Sequence, residues 1–351
     1  MFINTRLGSF LLVTLLCTSA ASVQQNPPRT QAGNRRLFLD VVVTTKSGPP
    51  VAGLQQQDFT ILDNKVPQTI TSFQTITGRE APIEVIVVLD AVNANLQTVE
   101  YERIQIDKFL HTDGGHLAYP IAVEVFTDKG IELVADFSSD GNALSTSLQQ
   151  EDIGRRVLGR SSGFNGGVER MQLSINALRK LIARETPRPG RKVVLWVSPG
   201  WPLLTSTNVE LSWKLQEQVF ADIVSLSTQL IRGRMKLYNM HTLGADETTM
   251  GASYYKGFLK GVTKPSQADI ADLSLQVLAI QSGGIVFSPS NDIAGLLQEC
   301  VTDSAPYYEI SFDTPPADQR DEYHSLEVKL AKPGLIARTR QGYYAQPLPR
   351  N

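Results

Sequence analysis

The chain has 351 residues, of which 42% are hydrophobic and 19% are charged. A chain of this length can bury a sizeable core, and its apolar content excludes a mainly disordered protein. The 33 basic and 35 acidic residues give a net charge of −2, which excludes a broad electrostatic surface for nucleic acid or anionic lipid. The 2 cysteines are too few for a disulfide scaffold.

Residues 1–22 are typical of a secretory signal peptide. Arg6 precedes an apolar stretch over 7–17, and small residues follow over 18–22. We expect cleavage near Ala20 to Ser22, so that the mature chain is secreted or periplasmic. The apolar stretch is shorter than the roughly 20 residues of a membrane span, and we expect no span after cleavage.

The two cysteines have different expected fates. Leu16 precedes Cys17 where a lipoprotein needs a small residue, so we expect no lipid anchor, and Cys17 leaves with the signal peptide. Cys300 lies at apolar spacing with Ile293 and Leu297. This spacing predicts a buried thiol that acts as a small hydrophobic side chain.

The segment after the signal peptide is a predicted linker over 23–36, because it has no apolar period. Residues 37–80 then show only strand patterns. A dense apolar stretch over 37–45, a short strand over 59–62 and an alternating strand over 68–76 predict β structure with no helix between the strands.

The pattern changes to alternating strands and helices over 81–313. The apolar run 83–89 predicts a strand buried on both faces. Strands 120–126 and 131–137 are joined by a short turn, so they must be antiparallel. Helical periods separate the later predicted strands, which cover 192–197, 235–243, 284–287 and 307–312. The expected fold is α/β, a doubly wound, mainly parallel sheet with one antiparallel edge strand.

The β pattern returns over 314–346, before a short tail over 347–351. Strands are predicted at 325–331 and 335–340. Because two or three strands alone are marginally stable, we expect the segments 37–80 and 314–346 to pair into one small β-sandwich with the α/β domain inserted between them.

This order of elements resembles a von Willebrand factor A domain. The flanks resemble the VWFA-related family first described in Acidobacteria, and the resemblance covers 37–345. It rests on Asp40–Phe59, Asp63-Asn64, Pro67–Ile70, Tyr307–Phe312, Tyr323–Lys329 and Arg340–Ala345. The resemblance implies an adhesion-type module that binds a protein partner, and no enzyme.

Such a domain usually carries a metal-ion-dependent adhesion site, which is Asp-x-Ser-x-Ser after the first strand, a Thr in a middle loop and an Asp after the fourth strand. Here the first motif reads Asp90-Ala-Val-Asn93-Ala, the middle loop offers Ser161 and Ser162, and Ser198-Pro-Gly-Trp follows the fourth strand. Divalent cations need carboxylates and several further oxygen ligands. We therefore expect a degenerate site without a cofactor.

Ligands of such sheets bind beyond the carboxyl ends of the strands. The predicted partner-binding face comprises Asp90, Asn93, Asn95, Ser161, Ser162, Ser198 and Trp201. Asp90 and Asn93 are expected to cap the next helix. Trp201 is either a packing residue or an exposed partner contact.

Two alternatives stay open. A partial site binding Mg²⁺, Mn²⁺ or Ca²⁺ would use Asp90, Asn93, Ser161 and Ser198. A serine hydrolase would use Ser161, because Gly-Arg-Ser-Ser-Gly over 159–163 fits the G-x-S-x-G pattern. The charged segment 151–158 is not the buried strand that this pattern requires, so the motif is interpreted as a glycine- and serine-rich loop.

Overall fold

The computed structural model describes residues 35–46, 48–77, 83–153, 163–202, 211–241 and 251–348. The signal peptide, most of the predicted linker and the serines of the middle loop lie outside these ranges. The first four strands are β1 (Arg36–Thr45), β2 (Phe59–Asp63), β3 (Val66–Gln68) and β4 (Ile70–Ile76).

A five-stranded sheet follows in the chain. Its strands are β5 (Ile83–Asp90), β6 (His116–Thr127), β7 (Gly130–Asp140), β8 (Arg191–Val197) and β9 (Met235–Met240). The spatial order is β7-β6-β5-β8-β9. All pairs are parallel except β6 with β7, which confirms the predicted mainly parallel sheet with one antiparallel edge.

Six α-helices accompany the sheet in the described part of the chain. They are α1 (Leu96–Leu110), α2 (Gly141–Gln150), α3 (Gly163–Glu185), α4 (Trp213–Arg232), α5 (Leu275–Gln281) and α6 (Ile293–Asp303). None of the described helices is long and apolar enough to cross a lipid bilayer.

Strand β5 explains why the core has two halves. Val85 and Val87 point into the cluster that contains residues of α1, α2 and α6. Ile86 and Val88 point into the cluster that contains residues of α3, α4 and α5. The continuous apolar run thus forms a strand buried on both faces, as its sequence predicts. Cys300 is fully buried in the first cluster, as its spacing predicts.

The last strands are β10 (Tyr307–Asp313), β11 (Glu322–Leu330), β12 (Leu335–Arg338) and β13 (Gly342–Ala345). They join the first four in two antiparallel sheets, ordered β12-β1-β10-β4 and β13-β11-β2-β3. Both ends of the chain therefore contribute to both sheets, and their apolar residues share a third core cluster. The described residues from Arg35 onward belong to one compact unit, so a separate inserted domain stays a prediction.

For two segments, the predicted position in the central sheet was wrong. Strand β10 was expected in the parallel sheet, but it lies antiparallel between β1 and β4, because Tyr308, Ile310 and Phe312 pack into the third cluster. The segment 284–287 makes only a single parallel bridge, from Val286 to Asn239 of β9.

Candidate functional site

The candidate site lies where the order of the central sheet reverses. Strands β5 and β8 are parallel neighbours, with Leu89 opposite Val197. Asp90 ends β5, and Ser198 directly follows β8. Their proximity follows from the topology, because the carboxyl ends of parallel strands share one edge and the crossovers diverge there.

The carboxylate of Asp90 is fully buried and accepts five hydrogen bonds. Its Oδ1 accepts from the backbone N–H groups of Val92 and Asn93, both at 2.9 Å. Its Oδ2 accepts from Asn93 Nδ2 at 2.9 Å, Trp196 Nε1 at 3.0 Å and Ser198 Oγ at 2.9 Å. A buried carboxylate needs such compensation, since each missing partner would cost desolvation energy.

Ser198 connects this carboxylate to the loop after β8. Its Oγ accepts from the backbone N–H of Gly200 at 3.1 Å, and its carbonyl accepts from Asn239 Nδ2 at 3.0 Å. Gly200 has a φ of +103°, and an added Cβ would lie 1.9 Å from Nε2 of Gln276. A glycine is therefore required for this tight turn.

The predicted capping roles of Asp90 and Asn93 need correction. Asp90 binds the turn that precedes α1, and the N-cap of α1 is Asn95, whose side chain accepts from Thr98 N at 2.9 Å. Asn93 donates through Nδ2 to both Asp90 and Ser174 Oγ of α3. The sequence showed three polar residues at and just after the end of β5, namely Asp90, Asn93 and Asn95, but not which of them begins the helix.

Trp201 was predicted as either a packing residue or an exposed partner contact, and it packs. Only 2% of it is exposed. Its ring lies 5.4 Å from that of Trp196 in a T-shaped arrangement, which aromatic pairs favour. The interpretation of Trp201 as a surface contact was therefore wrong, and Trp201 instead supports the tryptophan that donates to Asp90.

Of the other predicted site residues, only Asn95 lies among the described residues, and it makes no hydrogen bond to Asp90. Asn95 is exposed at the start of α1, and Ser161 and Ser162 lie outside the described residues. Within the described ranges, no group of three or more His, Cys, Asp or Glu side chains could hold a metal ion. What remains at the edge is one carboxylate surrounded by donors, an arrangement suited to fixing loops.

Three partners of this network were missed in the sequence. Trp196 lies within the buried apolar run of β8, Asn239 lies within β9, and Ser174 lies on α3. A buried indole N–H usually finds an acceptor. This requirement, applied to a tryptophan next to the carboxyl end of its strand, was the signal that could have linked Trp196 to Asp90.

Comparisons with known proteins identify no family. No family model and no curated protein matches the chain. Among solved structures, the human COPII-coat protein Sec24c has a TM-score of 0.35 at 9% identity, with 76% of this chain and 44% of that chain covered. Proximal thread matrix protein 1 from the mussel byssus has a TM-score of 0.37 at 12% identity, with 69% of this chain and 51% of that chain covered.

BatB from Bacteroides thetaiotaomicron has a TM-score of 0.32 at 12% identity, with 63% of this chain and 98% of that chain covered. The chain spans about half the length of the first two structures. All these TM-scores are below 0.5, so these similarities establish no function. The mainly parallel sheet with flanking antiparallel sheets is itself compatible with a von Willebrand factor A-like fold.

Proposed function

We propose that the chain is an exported, non-enzymatic interaction protein that binds a protein partner at the carboxyl edge of its central sheet without a divalent cation. The observation that carries the cation-free part is the complete hydrogen bonding of Asp90. The residue that would coordinate a metal ion in an adhesion site here holds the loops in place.

A cation at this position would meet unfavourable electrostatics. The three donors to Asp90 Oδ2 direct their hydrogens at the oxygen that a metal ion would need. Ser198 stands where a second carboxylate is usual, so the protein supplies one formal negative charge. Since Mg²⁺ gives up its hydration reluctantly, one carboxylate already engaged by donors is weak compensation.

Exposed apolar side chains near the same edge offer a contact surface. In this topology the helices that follow β5 and β8 begin at the carboxyl edge. Leu96 begins α1, and Trp213 and Leu215 lie in the first turn of α4. Trp213 is 58% exposed, and tryptophan is a frequent anchor of protein interfaces. We propose Trp213, in place of the buried Trp201, as the aromatic contact.

The cation-free proposal is tested by thermal unfolding in EDTA and in millimolar Mg²⁺, Mn²⁺ or Ca²⁺, for the wild type and for Asp90→Asn. We expect the melting temperature of the wild type to be the same in all four conditions. Stabilisation of the wild type by a cation, lost in Asp90→Asn, would instead establish the metal-dependent alternative.

The partner contact is tested by quantitative mass spectrometry of proteins that co-purify with the exported chain. Trp213→Ala should lose partners that the wild type retains. Leu133→Ala is the matched control, because Leu133 is an exposed apolar residue on the edge strand β7. Equal binding by both variants would refute the role of Trp213.

Export and the hydrolase alternative have their own tests. Mass spectrometry should find a mature chain beginning between Ala21 and Val23, and an intact residue 1 or a lipid on Cys17 would contradict this. A serine-directed activity probe should leave Ser161 unlabelled. Labelling that is abolished by Ser161→Ala would replace the interaction proposal with a hydrolase.

A further inference from the structure

A small polar cavity lies at the amino end of strand β9, opposite the edge that carries Asp90. Its charged lining residues are Asp40 of β1, Arg234, Lys236 of β9 and Arg340. The cavity offers about 10 Å³ to the centre of a water-sized sphere. This is close to the minimum that one water molecule needs, so phosphate or a larger organic anion does not fit.

Positive charge exceeds negative charge around this cavity. Asp40 accepts from Arg234 at 2.7 Å and lies 4.0 Å from Nε of Arg191. Among the described residues, Glu309 forms an ion pair with Arg234 only. The cavity is therefore lined by one carboxylate, Asp40, and by three cationic side chains, which are Arg234, Lys236 and Arg340. Arg191 and Glu309 lie next to it through their ion pairs with Asp40 and Arg234.

The excess positive charge belongs to buried side chains, some of whose N–H groups have no hydrogen-bond acceptor. Arg340 is 9% exposed, and no hydrogen bond from its guanidinium is found among the described residues. The buried Nε and Nη2 of Arg191 and the Nε of Arg234 also lack hydrogen-bond partners there. Lys236 donates only to the backbone carbonyl of Asp40, at 2.8 Å.

The electrostatics of two of these cations agree with an uncompensated positive site. Burial, together with the charge of Arg191, holds the pKa of Lys236 well below its ordinary value. Burial lowers the pKa of Arg340 to about 10, although Asp40 opposes the shift. Even with Lys236 neutral, two guanidinium groups, those of Arg234 and Arg340, line the cavity beside one carboxylate, that of Asp40. An unpaired buried charge strongly destabilises a fold.

We propose that this cavity binds one monovalent anion of halide size, held by Arg340 and the neighbouring cations. The anion supplies the missing negative charge and accepts from donors that lack a protein acceptor. Because Asp40 belongs to β1, Lys236 to β9 and Arg340 to the segment before β13, the bound anion joins the terminal β-strands to the central sheet.

The first test is thermal unfolding of the full chain in sodium chloride and in sodium gluconate at equal ionic strength. Gluconate is too large for the cavity. We expect the wild type to melt roughly 2 °C or more higher in chloride, as for a ligand that binds only the folded state. Arg340→Met should lose this difference, and in gluconate it should melt at or above the wild type because it removes an unpaired buried charge.

The matched control is Arg36→Met. Arg36 also lies at the start of a terminal strand and pairs with Asp313 at 3.0 Å, but its side chain is 42% exposed. This variant should keep the full effect of chloride. A chloride effect that persists in Arg340→Met, or its absence in the wild type, would overturn the proposal.

The second test does not depend on the folding of a variant. Crystals of the wild type soaked in sodium bromide should show an anomalous peak in the cavity, within about 4 Å of the Arg340 guanidinium. A cavity that contains only a water molecule, with no anomalous signal, would refute the halide site even if Arg340→Met fails to fold.

Discussion

Replacing Asp90 by alanine should destabilise the chain far more than the loss of a helix cap. The substitution removes the acceptor of five hydrogen bonds. It leaves Trp196 Nε1 and Ser198 Oγ without their acceptor in a site from which water is excluded. Asp90 is fully buried, so solvent does not replace the carboxylate.

The magnitude follows from the kind of group that is removed. An unsatisfied buried donor costs about 1 to 3 kcal/mol, and a hydrogen bond to a charged group contributes about 1.5 to 3 kcal/mol. Asp90→Ala leaves two buried side-chain donors, Trp196 Nε1 and Ser198 Oγ, without an acceptor. Because these donors share one acceptor, their losses do not add fully, and we expect a loss of about 3 to 5 kcal/mol for Asp90→Ala. Asp90→Asn keeps the shape of the side chain, but its amide hydrogens then face the N–H and O–H groups that donate to Asp90. The free energy of unfolding should therefore fall by more than about 2 kcal/mol.

The measurement is urea unfolding in EDTA, followed by tryptophan fluorescence, with the free energy of unfolding and the m-value fitted together. Asp292→Ala is the control, because Asp292 is the exposed N-cap of α6 and accepts only from Gly295 N, at 3.1 Å. It should lose about 0.5 to 2 kcal/mol. A loss for Asp90→Ala within this range, at an unchanged m-value, would refute the reasoning.

Three further predictions concern buried groups elsewhere. Burial, partly opposed by Arg184, raises the pKa of Glu124 from 4.5 to about 7. The folded state therefore holds this proton more tightly than the unfolded state does. The free energy of unfolding should consequently fall as the pH rises from about 4.5 through 7. Glu124→Gln should flatten this part of the pH–stability curve; an unchanged slope would contradict the shift. Tyr343→Phe should cost about 1.5 to 3 kcal/mol in urea unfolding, because its hydroxyl donates to the buried Asp63 at 2.5 Å; a loss below about 0.5 kcal/mol would contradict this. Cys300 is buried, and burial raises the pKa of its thiol well above the ordinary value. Iodoacetamide should therefore label Cys300 only as the chain unfolds, which peptide mass spectrometry can follow. Rapid labelling of the native protein would be inconsistent with this burial.

The local sequence determined the elements and the parallel sheet. The apolar run of β5 has no polar position before its end except Glu84, which is typical of a strand covered on both faces. The short turn between β6 and β7 leaves no room for a helix, so it determines an antiparallel edge. Both conclusions depend on residues close together in the chain, and periodicity reports such local constraints directly.

Only the tertiary structure decided the pairing of β10 and the hydrogen-bond partners of Asp90. A strand pattern states which residues are apolar but not which strand lies beside them, and β10 pairs with β1 across some 270 residues of chain. The sequence around Asp90 likewise does not specify which distant residues contact its carboxylate. A helix cap, a metal ligand and a carboxylate that fixes loops are all compatible with the local sequence around Asp90. Two of its hydrogen-bond donors, Trp196 and Ser198, lie more than 100 positions away in the chain. Hydrogen bonding of a buried carboxylate depends on what the fold brings within 3 Å of it, and spacing along the chain does not specify those distant neighbours.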